Sequence, residues 1–174
     1  MTPVTLRPRT SPSSCGQIET APSDRPYSTQ QRHRSACSVC GVTRFVVDCD
    51  TLLRIASGEI EVAAEHRLVA PTLVRSQALS ALYEAARRGE ISAAEGIERV
   101  TRINSLKVRF LGDKVLQRNA WKIADQLGWE TTYDAEFVAL TKLQADVFVT
   151  SDGDLARAVS GLVETTTIDA LRSA

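Results

Sequence analysis

Short apolar runs alternate along the chain with amphipathic stretches of ten or more residues, and this alternation limits the possible folds more than any other feature. The runs Phe45-Val46-Val47 and Val147-Phe148-Val149-Thr150 are mostly β-branched, as buried parallel strands are. Runs at 67–70, 107–110 and 162–166 predict further strands. Strands separated by helices form a parallel sheet with right-handed crossovers. We predict an α/β fold whose central parallel sheet has four to five strands and helices on both faces.

Helix start and stop signals lie between these runs. Side chains that accept a backbone hydrogen bond mark the predicted starts, and glycines mark several predicted ends. The resulting helices occupy 52–56, 72–89, 92–104 and 113–127, and one more is opened by Asp134.

The first 43 residues differ in composition from the rest. They are rich in Ser, Thr, Pro, Arg and Gln and show almost no apolar periodicity, so they cannot bury enough surface to offset the entropy lost on ordering. We predict a disordered tail at 1–43 and a single globular domain at 44–174. Cys37 and Cys40 are an alternative signal for zinc, but one Cys-x-x-Cys pair leaves a tetrahedral site incomplete unless Cys15 joins it.

Charge and hydropathy restrict the expected partners. The chain has 21 Lys and Arg against 21 Asp and Glu, so its net charge gives no long-range attraction to nucleic acid or to an anionic membrane. No run of 18 apolar residues occurs, and the N-terminus has no apolar stretch typical of a secretory signal. We expect a cytoplasmic protein without membrane contact, in which any contact with RNA is local.

Three aspartates stand where an open parallel sheet places its ligands. Such sheets bind ligands beyond the carboxyl ends of their strands, and Asp48 and Asp152 follow the two clearest strands. Asp134 lies at a predicted helix N-terminus, which also favours an anion. Asp134 as a helix cap and Asp152 as a turn residue have ordinary structural roles, whereas Asp48 has none at this level.

These carboxylates need a positive partner. No lysine or arginine adjoins them in sequence, and a carboxylate beside buried strands is unfavourable without one. A divalent cation would meet this need, because Mg²⁺ and Mn²⁺ prefer carboxylate oxygens and activate water for phosphodiester hydrolysis. Asp50 and Asp154 add acceptors at the same edge.

The segments that carry these residues resemble those of a known family. They are Val46-Val47-Asp48-Cys49-Asp50-Thr51-Leu52-Leu53, Leu68-Val69-Ala70-Pro71-Thr72-Leu73, Tyr133-Asp134-Ala135-Glu136-Phe137-Val138-Ala139-Leu140 and Val149-Thr150-Ser151-Asp152-Gly153-Asp154-Leu155. In order and spacing they resemble a PIN domain, specifically the VapC-type toxins of toxin–antitoxin modules. The resemblance covers 45–171.

The resemblance implies a set of site residues. The first, third and fourth acidic positions of the family fall on Asp48, Asp134 and Asp152, with Thr150 as the hydroxyl companion. The second acid, normally a glutamate, falls on Gln77, which can offer a carbonyl oxygen but no charge. Asp50 is the preferred source of the missing charge. Glu84, on the same predicted helix as Gln77, is a second one.

The resemblance also implies a function. VapC-type proteins cleave RNA endonucleolytically with Mg²⁺ or Mn²⁺, form homodimers and are silenced by a cognate antitoxin. Four cations on helices beside the predicted edge are candidate RNA contacts: Arg54, Arg75, Lys114 and Arg118, with Lys122 close by. Trp121, Trp129 and Tyr133 could stack on bases, although aromatic residues at helical spacing more often belong to the core.

Two other functions remain open at this stage. Loss of the charge at Gln77 would allow a catalytically inactive scaffold that binds RNA or an antitoxin. Asp48-Cys49-Asp50-Thr51 also resembles in part the Asp-x-Asp signature of haloacid-dehalogenase-type phosphatases, in which Asp48 would attack phosphate and Lys142 would assist. A receiver-like signalling domain is disfavoured, because no lysine follows the last strand at 165–168.

Overall fold

A sheet of five parallel strands lies at the centre of residues 42–172, the part of the chain that the computed structural model describes. Its order is β3-β2-β1-β4-β5, so the chain builds outward from β1 to β3 and then crosses over to place β4 on the other side of β1. All four strand pairs are parallel, which confirms the predicted sheet. The strands are β1 (Arg44–Val47), β2 (Arg67–Pro71), β3 (Val108–Leu111), β4 (Val147–Val149) and β5 (Thr165–Thr166).

Six α-helices in these residues flank the sheet. Helix α5 packs against β1, β2 and β4, and α4 packs on α5, while α1, α2 and α3 pack on one another. This confirms the α/β fold class. The helices are α1 (Cys49–Ser57), α2 (Leu73–Arg87), α3 (Ala93–Ser105), α4 (Lys114–Leu127), α5 (Tyr133–Gln144) and α6 (Gly153–Val159), followed by a short 3-10 helix at Ile168–Leu171.

The apolar runs form the strands because both of their faces are covered. Val46, Val47 and Val149 have no exposed surface, and neither has the Phe148 ring, which stacks on Phe137 of α5 with ring centroids 5.9 Å apart. Full burial of such side chains contributes about 1.5–3 kcal/mol each. The two strands that lead into the site, β1 and β4, are therefore held by buried apolar side chains.

Several helix ends follow the sequence signals. The Ser92 hydroxyl accepts the Glu95 amide at 3.1 Å, and Asp113 accepts two amides at the start of α4. Gly58 and Gly128 adopt the left-handed conformation with φ of 84° and 67°, which permits the sharp exits of α1 and α4.

Three predicted boundaries are wrong. Helix α1 starts at Cys49, before the predicted 52, because Asp48 caps it. Helix α5 has Thr132 at its N-cap position, so Asp134 lies inside its first turn. Strand β5 begins only at Thr165, because the amides of Leu162 and Val163 bond back to Val159 and cannot join the ladder.

The expected tail at 1–43 lies almost entirely outside the described residues, as do Cys15, Cys37 and Cys40. The two-part division of the chain therefore stays a prediction. Within residues 42–172, none of the helices combines the length and the apolar character needed to cross a bilayer.

A close contact joins the loops that follow β2 and β3. The Thr72 amide donates to the Leu111 carbonyl at 2.9 Å, which draws the two loops together. A Cβ at Gly112 would lie 3.1 Å from Cγ2 and 3.3 Å from Cβ of Thr72, and closer still to its hydroxyl. Because Thr72 immediately precedes α2, Gly112 allows the start of that helix to pack beside β3.

We expect Gly112→Ala to destabilise the fold by about 1–3 kcal/mol, because the added methyl overpacks the contact with Thr72. Gly161→Ala is the matched control, since a Cβ there meets no atom within 4 Å. Urea unfolding followed by circular dichroism measures both. Adding Thr72→Ala to Gly112→Ala should recover much of the loss. Equal stability of Gly112→Ala and Gly161→Ala would contradict the packing argument.

Candidate functional site

The site residues converge where the order of strands reverses. β1 and β4 are neighbours, but the chain leaves β1 toward β2 and leaves β4 toward β5, in opposite directions across the sheet. Such switch points form a crevice at the carboxyl ends of the strands. A cavity of about 160 Å³ lies there. Its lining contains six of the residues predicted for the catalytic and metal site, Asp48, Asp50, Gln77, Asp134, Thr150 and Asp152, together with Cys49, Phe137, Phe148 and Leu155.

Asp48 and Asp152 each begin a helix as well as facing the cavity. Asp48 Oδ1 accepts the Thr51 amide at 2.8 Å, and Asp152 Oδ1 accepts the amides of Asp154 and Leu155 at 2.9 and 3.0 Å. The prediction that Asp48 lacks a structural role was wrong. Each cap uses one oxygen, and the second oxygen of each carboxylate makes no hydrogen bond within residues 42–172.

Asp134 differs from this pair. It lies in the first turn of α5, and its side chain makes no capping hydrogen bond among the described residues, so its predicted role as a helix cap does not hold. Partial burial raises the pKa of its carboxyl, and the charges of Asp152 and then Asp48 raise it further. Asp134 is therefore close enough to Asp152 and to Asp48 to be affected by both negative charges.

No cation of the described residues offsets this repulsion. The lining of the cavity includes no lysine, arginine or histidine, and the ion pairs within residues 42–172 all lie elsewhere. Asp154, predicted as an extra acceptor, pairs with Arg157 and does not line the cavity.

Gln77 brings an amide into the same cavity from α2. Its Oε1 atom is buried and has no hydrogen-bond partner in the described residues, which is unfavourable unless a donor or a cation meets it. Glu84 does not supply the missing charge, because it is exposed, accepts from Ser80 and lies 3.8 Å from Arg88. Asp50 does line the cavity and accepts from the Ser151 hydroxyl at 3.0 Å.

Thr150 and Cys49 complete the polar lining. The Thr150 side chain is 4% exposed, and its hydroxyl oxygen accepts the Asp152 amide at 3.1 Å, which fixes the turn that presents Asp152. Burial, and then the charges of Asp48 and Asp50, raise the pKa of Cys49 to about 11. Its thiol is therefore neutral near pH 7 and unsuited to act as a thiolate nucleophile.

The chemistry of these groups fits a hard divalent cation. Carboxylate and amide oxygens are the donors that Mg²⁺ and Mn²⁺ prefer, and Mg²⁺ commonly takes only one or two protein carboxylates and keeps several waters. As placed, no three His, Cys, Asp or Glu side chains in residues 42–172 form a ready-made cluster of metal ligands. The fit therefore depends on a partly hydrated ion and on the carbonyl of Gln77.

The four predicted RNA contacts differ in how free they are. Arg54 pairs with Glu59 at 2.5 Å, and Arg75 donates to Asn104 at 2.5 Å and lies 5.2 Å from the centre of the Phe110 ring. Both are therefore held by neighbours within the protein.

Lys114 and Arg118 instead share one surface of α4. With Gln117, Trp121 and Lys122 they line a shallow depression of about 640 Å³. Trp121 is 72% exposed and Tyr133 is 60% exposed, so the expectation that they belong to the core was wrong, while Trp129 is half-buried against the core. The sequence signal for the exposure of Trp121 is its spacing from cations: Lys114 and Arg118 precede it by seven and three residues, and Lys122 follows it.

Burial and the neighbouring charges raise the pKa of Asp134, and we expect this shift to affect stability. A carboxyl whose pKa is raised by folding binds its proton more tightly in the folded state, so it lowers stability as pH rises above its ordinary value. We expect Asp134→Asn to raise the melting temperature near neutral pH in EDTA, with a gain that disappears on acidification. Asp125→Asn, on the exposed surface of α4, is the control and should change little; a lower melting temperature for Asp134→Asn at neutral pH would contradict the argument.

Comparison with known proteins supports the fold alone. No family model matches the sequence, and no curated protein is significantly similar to it. The crystal structure of PAE2754 from Pyrobaculum aerophilum is 24% identical, with a TM-score of 0.60 over 76% of this chain and 95% of that chain. VapBC-1 from nontypeable Haemophilus influenzae is 12% identical over 73% of this chain and 99% of that chain, and its TM-score of 0.49 adds nothing to the first comparison. The fold is thus similar to that of a solved structure, 95% of whose chain the match covers.

Proposed function

We propose that this chain is a PIN-type endoribonuclease that hydrolyses RNA phosphodiesters with Mg²⁺ or Mn²⁺. One observation carries the proposal: Asp48, Asp134 and Asp152, from three separate elements, line one cavity that no cation of the described residues enters. A carboxylate group of this kind is suited to a divalent ion and to chemistry at phosphate. The sequence resemblance supplies the family and the choice of RNA.

In this proposal Asp48, Asp134 and Asp152 hold the ion, with Asp50 adding charge and Gln77 offering its unpartnered carbonyl. When bound, the ion supplies an activated water and stabilises charge on the phosphate oxygens. The helix caps at Asp48 and Asp152 hold one oxygen of each carboxylate by a hydrogen bond, which leaves the other oxygen available to the ion. Thr150 orients the Asp152 turn as a positioning residue.

The surface of α4 is the proposed contact for the RNA substrate. Lys114, Arg118 and Lys122 can neutralise phosphates, and the exposed ring of Trp121 offers a face for a base. Helix α4 starts directly after β3, at the same edge of the sheet as the cavity. RNA lying along this surface would reach the carboxylates from one side.

The biological setting belongs to the same proposal. By its resemblance to VapC-type toxins, the chain would act in the cytoplasm, form a homodimer and be silenced by an antitoxin. Leu79, Tyr83 and Ile97 are exposed apolar side chains on α2 and α3, a type of surface that a protein partner would cover.

The two alternatives fare differently. A haloacid-dehalogenase-type phosphatase needs a lysine at its phosphate site, but Lys142 is exposed on α5 and does not line the cavity. An inactive scaffold is favoured by a specific feature, the uncharged Gln77, and is therefore kept as the second candidate.

We expect the purified chain to cleave RNA only when Mg²⁺ or Mn²⁺ is present. Asp48→Asn and Asp152→Asn should each lower the cleavage rate by at least about 100-fold, since even indirect partners of a metal site are worth about 10–100-fold. Asp125→Asn should keep full activity. Gel analysis of a labelled RNA measures the rates; cleavage that survives Asp48→Asn would contradict the nuclease, and turnover of small phosphate esters instead would support the phosphatase.

Gln77→Glu separates an active enzyme from a scaffold. A fourth carboxylate should strengthen metal binding, so the shift in melting temperature on adding Mn²⁺ should begin at a lower concentration than in the wild type. Calorimetric titration of Mn²⁺ gives the affinity directly. If wild-type protein neither binds Mn²⁺ nor cleaves RNA, and Gln77→Glu does both, the scaffold is the correct function.

A further inference from the structure

Four cations line a cleft that begins at the amino ends of the strands and extends along β2 and β3 to Leu111, the last residue of β3. Arg44 and Arg67 begin β1 and β2, Lys107 immediately precedes β3, and Arg109 lies within β3. Together with Gln144 at the end of α5 they line a cleft of about 340 Å³. None of the four has a place in the proposed catalytic site.

The register of the sheet produces this cluster. Arg44 pairs with Arg67, and Val69 pairs with Arg109, so Lys107 lies beside Arg67 across the same ladder. Residues two apart on a strand share a face, which places Lys107 and Arg109 on one side of the sheet. Neighbouring strands are about 4.8 Å apart, so Arg44, Arg67 and Lys107 form a row about 10 Å long across three strands. Arg109 lies two residues further along β3.

The cluster is uncompensated within the described residues. All four side chains are exposed, and no carboxylate of residues 42–172 forms an ion pair with any of them. The Asp146 carboxylate accepts a hydrogen bond from the backbone amide of Arg44 at 2.9 Å and not from its guanidinium. Like charges on adjacent strands repel. The cations cluster here although residues 45–174 are acidic as a whole, with 19 acidic residues against 15 basic ones.

We propose that this cleft is a second binding site, and that it takes successive phosphates of a single-stranded RNA segment. A row of cations is complementary to a chain of evenly spaced anions, whereas a single small anion would engage only part of the row. Two arginines offer forked donors suited to phosphate oxygens, and Gln144 adds a neutral donor. Since the cleft has no base-reading aromatic in its lining, it should bind RNA without regard to sequence. The proposal goes beyond the nuclease and does not rest on it, because a chain that binds RNA here without cutting it would satisfy it.

The test is fluorescence anisotropy of a short, unstructured, labelled RNA with the full chain in EDTA, where metal-dependent cleavage is absent. Arg67→Gln with Arg109→Gln should weaken binding at least about tenfold at low salt, and should flatten the dependence of log affinity on log salt by about 0.7 for each lost phosphate contact. Arg87→Gln with Arg88→Gln removes the same charge from the exposed end of α2 and should leave affinity nearly unchanged. Arg67→Lys with Arg109→Lys should restore most of the binding.

The outcomes distinguish an RNA site in this cleft from diffuse charge attraction and from a protein-binding surface. Equal affinity of the wild type and the Arg67→Gln, Arg109→Gln variant, or an equal loss in the α2 control, overturns the proposal. Displacement of the RNA by polyglutamate more readily than by unlabelled RNA would assign the cleft to an acidic protein segment and also overturn it. A melting temperature equal to that of the wild type shows that the glutamine variant is folded. If the glutamine variant does not fold, RNA binding by the lysine variant still tests whether positive charge at these two positions is sufficient. Failure of RNA cleavage with normal binding would refute the nuclease and leave the cleft site intact.

Discussion

Uncompensated negative charge at the switch point of the sheet is the constraint on which the site depends. Asp48, Asp134 and Asp152 are brought together by β1, α5 and β4. Among the described residues, the hydrogen bonds to their carboxylates come from backbone amides alone, at Asp48 and Asp152. Burial first, and then the charges of Asp152 and Asp48, raise the pKa of Asp134. The buried valines of β1 and β4 hold the carboxylates in place against their repulsion, so the packing of the core maintains a site that its own charges oppose.

Much of this arrangement could be predicted from the sequence, because it depends on local patterns. β-branched apolar runs give the strands, their spacing gives parallel crossovers, and the residue after a strand must lie at the carboxyl edge. Those three steps predicted Asp48 and Asp152 at one edge of the sheet, and the structure places both in the same cavity. Gly128 likewise predicted the end of α4 through its left-handed conformation.

Other features required the fold itself. The buried carbonyl of Gln77 depends on how α2 packs, and the cap made by Asp48 depends on a helix that starts three residues earlier than its apolar pattern. The exposure of Trp121 follows from which face of α4 meets α5. The row from Arg44 to Arg109 needs both the strand order and the register, although a cation at or just before the start of three strands was visible in the sequence.

Parallel strands also give the molecule an electrical direction. Because every strand runs the same way, cations that begin β1 and β2 and acids that follow β1 and β4 collect at opposite ends of the sheet. Among the described residues, these strands therefore carry cations at the amino ends of β1 and β2 and carboxylates after β1 and β4. A polyanion is attracted by the cations at one end of these strands and repelled by the carboxylates at the other.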